Sequence, residues 1–188
     1  ARAIAGKVAG SGATAQEPFT GRANVYAQQR GLVVVDSLRV NAINRVHESM
    51  TLATLPNYHV VDKGQMIATI KIIPFAVARE NLHKVIAEIG ATPVIGVQPL
   101  TKRRVGLVIT KVAGSKQSLI EKSERAMRDR VKALGSDLAH VTVCDHTIEA
   151  VRKSVKELWA LACNPILLFG ASAIVDREDV IPAGLSAA

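Results

Sequence analysis

Aromatic side chains are scarce: one Trp, two Tyr and three Phe make up 3% of 188 residues. A single-stranded nucleic-acid surface built on stacked rings needs more of them, and the core must be aliphatic. Cysteine is nearly absent too. Cys144 and Cys163 stand in no metal-type spacing. A reduced, buried thiol is the default for each, which fits a reducing, cytoplasmic compartment. No apolar run reaches membrane-spanning length and no signal peptide is present. No membrane partner is expected. The chain starts at Ala1 and stops at Ala188 soon after a helix begins, so both ends are expected to be cuts from a longer protein.

What is present is aliphatic bulk and positive charge. Hydrophobic residues make up 48%, enough for a substantial core. The net charge is +8. Residues 1–100 hold ten Lys/Arg against six Asp/Glu, and residues 101–188 hold fourteen against ten, so the excess is +4 in each part. Such a surface favours anionic partners, phosphorylated small molecules among them. The even spread, without a basic tail, and the few aromatics argue against nucleic acid.

Residues 1–30 carry much Gly, Ala, Ser, Thr and Gln with little periodicity. They read as loop, anchored if at all by Phe19 and Tyr26. Gly31–Asp36 reads as a buried strand, Val40–Val46 as a short helix and Met50–Leu55 as a strand stopped by Pro56. Met66–Ile73 alternates as a strand does. Arg79–Ile89 places Leu82, Val85, Ile86 and Ile89 at helical spacing before Gly90, and a further strand runs from Pro93 to Val97. Residues 1–100 are thus expected to form a smaller, strand-rich α+β domain. From residue 101 the pattern becomes regular: strand Val105–Thr110, helix Gln117–Leu134, strand Leu138–Val143, helix Thr147–Ala162, strand Ile166–Phe169. Alternation with short connections implies an α/β domain over residues 101–188 built on a doubly wound parallel sheet.

Ligands in such sheets sit beyond the carboxyl ends of the strands. That rule selects three loops: Thr110–Lys116, Cys144–Thr147 and Gly170–Asp179. The first joins Thr110, Gly114, Ser115 and Lys116 ahead of a helix, a pattern suited to phosphate, although the order of Gly114, Ser115 and Lys116 departs from a P-loop ATPase. The second puts Asp145 at the ligand edge, where capping the next helix is its alternative role. The third combines small residues, Gly170, Ala171, Ser172 and Ala173, with Asp176, Arg177, Glu178 and Asp179 and a proline-opened helix at Pro182. Small residues let a ligand approach the backbone, and carboxylates at this edge can hold Mg²⁺ against phosphate. No Ser/His/Asp triad is evident.

The run Phe169-Gly170-Ala171-Ser172-Ala173-Ile174-Val175-Asp176-Arg177-Glu178-Asp179-Val180-Ile181-Pro182 resembles the signature loop of the molybdopterin-binding domain. That domain is shared by molybdopterin adenylyltransferases and molybdopterin molybdotransferases. Gly170, Ser172 and Asp179 match its glycine, hydroxyl and aspartate positions. Ala171 replaces its second glycine, and Ile181 stands where Thr is common. Asp145 matches the other acidic position and Val105–Thr110 the family's first strand, so the resemblance spans roughly residues 102–185. Gly64–Val77 is similar to the region ahead of this domain in a bacterial molybdopterin-binding subgroup.

The resemblance implies a protein of molybdenum cofactor synthesis or maturation, with molybdopterin and Mg²⁺ as cofactors. Thr110, Gly114, Ser115, Lys116, Gly170, Ala171 and Ser172 would bind the pterin phosphate. Asp145 and Asp179 would be the catalytic acids, Asp179 at the metal. It further implies a nucleotide as a second small-molecule partner, a homo-oligomer, and a domain that continues past residue 188. The alternative is a carrier or regulatory module without chemistry of its own, presenting cofactor to a partner or to a fused nucleotidyltransferase.

Overall fold

A computed structural model describes residues 1–188, and the chain separates into two compact units, Ala1–Leu100 and Thr101–Ala188. The first is the longer of the two in this chain, not the smaller. It begins with α1 (Arg2–Val8), β1 (Ala13–Ala15), β2 (Arg22–Ala27) and β3 (Gly31–Val35). There follow α2 (Ser37–Val46), β4 (Met50–Thr54), β5 (Val60–Val61), β6 (Met66–Ile72), α3 (Arg79–Ile89) and β7 (Ile95–Pro99). Two antiparallel sheets result, in the orders β1-β2-β6-β4 and β5-β3-β7.

Residues 1–30 are therefore not loop. Ile4, Ala5 and Val8 bury one side of α1, and Ala23, Val25 and Ala27 bury alternate positions of β2. Phe19 does not anchor the segment, being 80% exposed. The same core takes in Val33, Ile43, Leu52, Ile70, Val85, Ile89 and Val97. Asp36 caps α2 by accepting from the Arg39 N–H at 3.0 Å. The Arg39 guanidinium donates to the carbonyls of Ile89 at 2.7 Å and Pro93 at 3.0 Å. It thus serves the carboxyl end of α3, where carbonyls lack helical partners.

The second unit consists of β8 (Arg104–Lys111), α4 (Gln117–Ala133), β9 (Asp137–Asp145), α5 (Ile148–Ala160), β10 (Ile166–Phe169) and α6 (Val180–Ser186). It is of the α/β class: β10, β8 and β9 form a parallel sheet in that order. The central strand is buried from Val105 to Thr110, as a strand covered on both faces must be. Val105, Leu107 and Ile109 pack with Ile120 and Val131 of α4. Val108, pointing the other way, packs with Leu158 of α5 and with Cys163. The two helices thus lie on opposite faces of the sheet. Gly106 lies under this packing, where an added Cβ would stand 3.0 Å from that of Cys163. No helix is long and apolar enough to cross a membrane.

Candidate functional site

The chain leaves β8 toward α4 on one face and leaves β9 toward α5 on the other. Between two such exits the backbone parts and a crevice opens at the carboxyl ends. It is an open cleft of about 540 Å³ lined by Lys111–Ser115 on one side and Asp145–Thr147 on the other. Lys111 and Asp145 are direct cross-strand partners, and the His146 N–H donates to the Lys111 carbonyl at 2.8 Å.

Gly114 adopts φ +81 with nothing near the position of a Cβ, so it bends the loop and leaves bare backbone facing solvent. Ser115 ties the turn: its hydroxyl accepts the Val112 N–H at 3.0 Å, and its own N–H donates to the Val112 carbonyl at 3.0 Å. Lys116 occupies the N-cap of α4, where it makes no side-chain cap. The Gln117 and Ser118 N–H groups are left without an acceptor, a local positive end, while the Leu119 N–H donates to the Lys116 carbonyl at 3.0 Å. The ammonium groups of Lys111 and Lys116 form no ion pair. The Asp145 carboxylate makes no hydrogen bond or ion pair, and it does not cap α5, because Thr147 does so by accepting from Ala150 at 3.3 Å. One open carboxylate and several cationic donors therefore share this edge.

Thr110 is different. It is 3% exposed, and its hydroxyl faces inward to a network rather than out to the cleft. Its Oγ1 accepts the Ala171 N–H at 2.8 Å and lies 2.8 Å from His146 Nδ1. On the far side of the ring, His146 Nε2 lies 3.1 Å from Ser172 Oγ. Thr110 Oγ1 has a second lone pair as well as its proton, so the Thr110–His146–Ser172 chain closes with either ring tautomer.

The loop Gly170–Asp179 is thus fastened to the end of β8 through His146, but it does not line the cleft. Gly170 is needed for packing: a Cβ there would stand 2.7 Å from Ile181 Cδ1 and 2.9 Å from the Ser172 carbonyl oxygen. Ala171 has its N–H spent on Thr110. Asp179 turns its Oδ2 back to accept from Val175 N–H and from Asp176 N–H, the latter at 3.1 Å. Those amides, and then the nearby His146 ring, hold the Asp179 carboxyl below the usual carboxylate range. Asp179 stands at the N-cap of α6 yet makes no side-chain cap to it, and Pro182 lies within the first turn.

The structure brings Gly114, Ser115 and Asp145 to one cleft, with Lys116 beside it. It puts Thr110, Ala171 and Ser172 in the network behind, and Asp179 in a loop of its own. His146, not among the site residues that the sequence singles out, joins the two sets. Its place at the end of β9, beside Asp145, was the one available signal.

No group of three or more His, Cys, Asp or Glu is placed to hold a metal ion. Mg²⁺ asks less, taking one or two carboxylates and completing its shell with water and phosphate oxygens. The open carboxylate of Asp145 fits that donor set. Asp179 fits it less well, since one of its oxygens is engaged twice by backbone.

No protein-family model matches the chain, and no curated protein matches it either. Among solved structures, the chain is similar to the nicotinate-nucleotide pyrophosphorylase from Francisella tularensis. That likeness has 10% identity over 92% of this chain and 80% of that one, with a TM-score of 0.29, too slight to carry an argument.

Proposed function

We propose that the cleft beside Gly114 binds the phosphate of molybdopterin, and that the protein acts in synthesis or maturation of the molybdenum cofactor. The observation that carries the phosphate site is the uncapped start of α4 under a glycine bend, with Lys111 and Lys116 both free of ion pairs. Backbone amides and unpaired ammonium groups at a sheet crevice suit a phosphate dianion. The pterin itself rests on the sequence likeness of Gly170–Pro182 to the molybdopterin-binding signature.

In this reading the α4 amides and Lys111 receive the phosphate oxygens, and Lys116 adds charge from beside the cleft. Asp145 would hold Mg²⁺, which when bound neutralises phosphate charge. Thr110, His146 and Ser172 position the loop that carries Gly170 and Asp179, and Asp179 keeps that loop folded.

The carrier reading is favoured by one specific feature. Both nitrogens of His146 are engaged, so no free imidazole base faces the cleft. A protein that binds molybdopterin without transforming it would present it to a partner or to a fused nucleotidyltransferase.

Calorimetry with molybdopterin, with and without Mg²⁺, tests the binding. The reading expects saturable uptake, strengthened by Mg²⁺ and weakened in Lys111→Gln. Equal, weak heats for both proteins would overturn it. Adding ATP separates the two forms: an adenylated product marks an enzyme, and retention of unchanged cofactor marks a carrier.

A further inference from the structure

The first unit carries an unexplained pair of cations. Arg22 of β2 and Lys71 of β6 are direct partners across an antiparallel ladder, so they share one face of the sheet. Like charges directly opposite one another destabilise a sheet. Neither has a counter-ion. The other cross-strand neighbour of Lys71 is the neutral Thr51. Glu17, the one acid at this place, is paired with Arg2 at 2.5 Å. The amide of Asn24 is spent on Tyr26 at 3.2 Å and Thr69 at 2.8 Å.

The pair opens onto a cleft of about 390 Å³, to which Gln16 and Phe19 also contribute. That volume suits a small molecule rather than a polymer. Its rim is a tight hairpin turn closed by reciprocal Phe19–Arg22 backbone bonds of 2.8 and 2.9 Å. Thr20 within it has φ +44 and Gly21 φ +77. A β-branched residue rarely takes positive φ, and strain of this kind tends to gather where a ligand is held. The turn leaves Phe19 80% exposed at the rim of the cleft.

We infer that this face is a second ligand site, for a phosphate monoester bearing a planar ring. A monoester near neutral pH is close to a dianion and balances two cations, whereas a single carboxylate would leave one uncompensated. The guanidinium of Arg22 matches phosphate geometry in a fork, and Lys71 supplies a point charge. Phe19 offers its ring face to the planar group.

Residue-resolved amide shifts of the full chain, titrated with phenyl phosphate and separately with inorganic phosphate, test this and keep it apart from the Lys111 cleft. Both probes are expected to move the Arg22 and Lys71 amides. Arg22→Gln and Lys71→Gln should each weaken both probes about tenfold or more. Phe19→Ala should weaken phenyl phosphate while sparing inorganic phosphate. Because each glutamine relieves a repulsion, the unliganded variants should melt no lower than the parent. Shifts confined to residues 111–116, or full binding retained in both glutamine variants, would overturn the site. A fall in Tm in both would show that the cations have structural partners, and would overturn the reasoning behind it.

Discussion

The Oγ1 of Thr110, the last buried position of β8, lies 2.8 Å from His146 Nδ1 and holds the ring against the end of the strand. The same oxygen accepts the Ala171 N–H, so one hydroxyl fastens two loops. Thr110→Val keeps the shape and removes that hydroxyl. It leaves the Ala171 N–H and Nδ1 without partners, at a cost of about 1–3 kcal/mol. Amide exchange at Ala171 should quicken in the valine variant and stay near the parent rate in Thr110→Ser. Equal exchange in the two would mean that the hydroxyl does not hold the loop.

Asp179 gives the same loop a dependence on acid. Its carboxyl is held low by the Val175 N–H first, then by the Asp176 N–H, with a smaller pull from His146. A carboxyl depressed in the folded state stabilises above its unfolded value, and that stabilisation is lost as pH falls through the folded one. The Val175 and Asp176 amides should therefore keep their shifts down through the usual Asp range and move only below it. Asp179→Asn should abolish that acid transition and leave the sheet intact. It should also weaken Mg²⁺-dependent binding of cofactor, because the loop is fastened to the cleft edge through His146. A parent chain whose Val175 shift moves within the ordinary carboxylate range would contradict the assignment.

Lys111 and Asp145 stand opposite one another with opposite charges, and they should respond in opposite directions. Without Mg²⁺, the free carboxylate repels a phosphate, so Asp145→Asn should tighten phosphate binding at this cleft. With Mg²⁺ present, the same change should remove the enhancement that the cation gives. Lys111→Gln should weaken binding under both conditions, by roughly three- to tenfold for one exposed charge. Phosphate titrations at two Mg²⁺ concentrations check both signs. Parallel behaviour of the two variants would place the ligand elsewhere.

Elements whose pattern is local were legible. Gly31–Val35 and Val105–Thr110 are continuous aliphatic runs with turn residues at their ends, and both are strands. Arg79–Ile89 shows its helical period, and Gly90 ends it at φ +74. α1 and β2 were not legible. α1 is a seven-residue helix whose buried side is Ile4, Ala5 and Val8, and β2 buries Ala23, Val25 and Ala27. Alanine contributes little to either period, and contacts distant in sequence decide the structure. β5, two residues long, gives no pattern at all. At the site, the strand-end rule singled out the loops because it depends only on strand order. The hydrogen bonds that join Thr110 to His146 and His146 to Ser172 cross 36 and 26 residues, and no spacing rule reaches that far.

The last element places the signature loop, and its seat is tight. Gly184 in α6 faces α5, where an added Cβ would stand 2.7 Å from Val151 Cγ1 and 3.2 Å from the Ile148 carbonyl oxygen. Val151 is fully buried, so it cannot swing aside into solvent. Gly184→Ala should push α6 outward and lower stability by about 1–3 kcal/mol, despite the better helix propensity of alanine. The displacement should reach back through Ile181, which packs against Gly170, and disturb the Ser172 amide. Val151→Ala opens space at the contact and should relieve part of the strain. The double variant is then less destabilised than the sum of the singles. A denaturant-unfolding cycle measures this. Strict additivity would show that α6 does not sit on Val151 in solution.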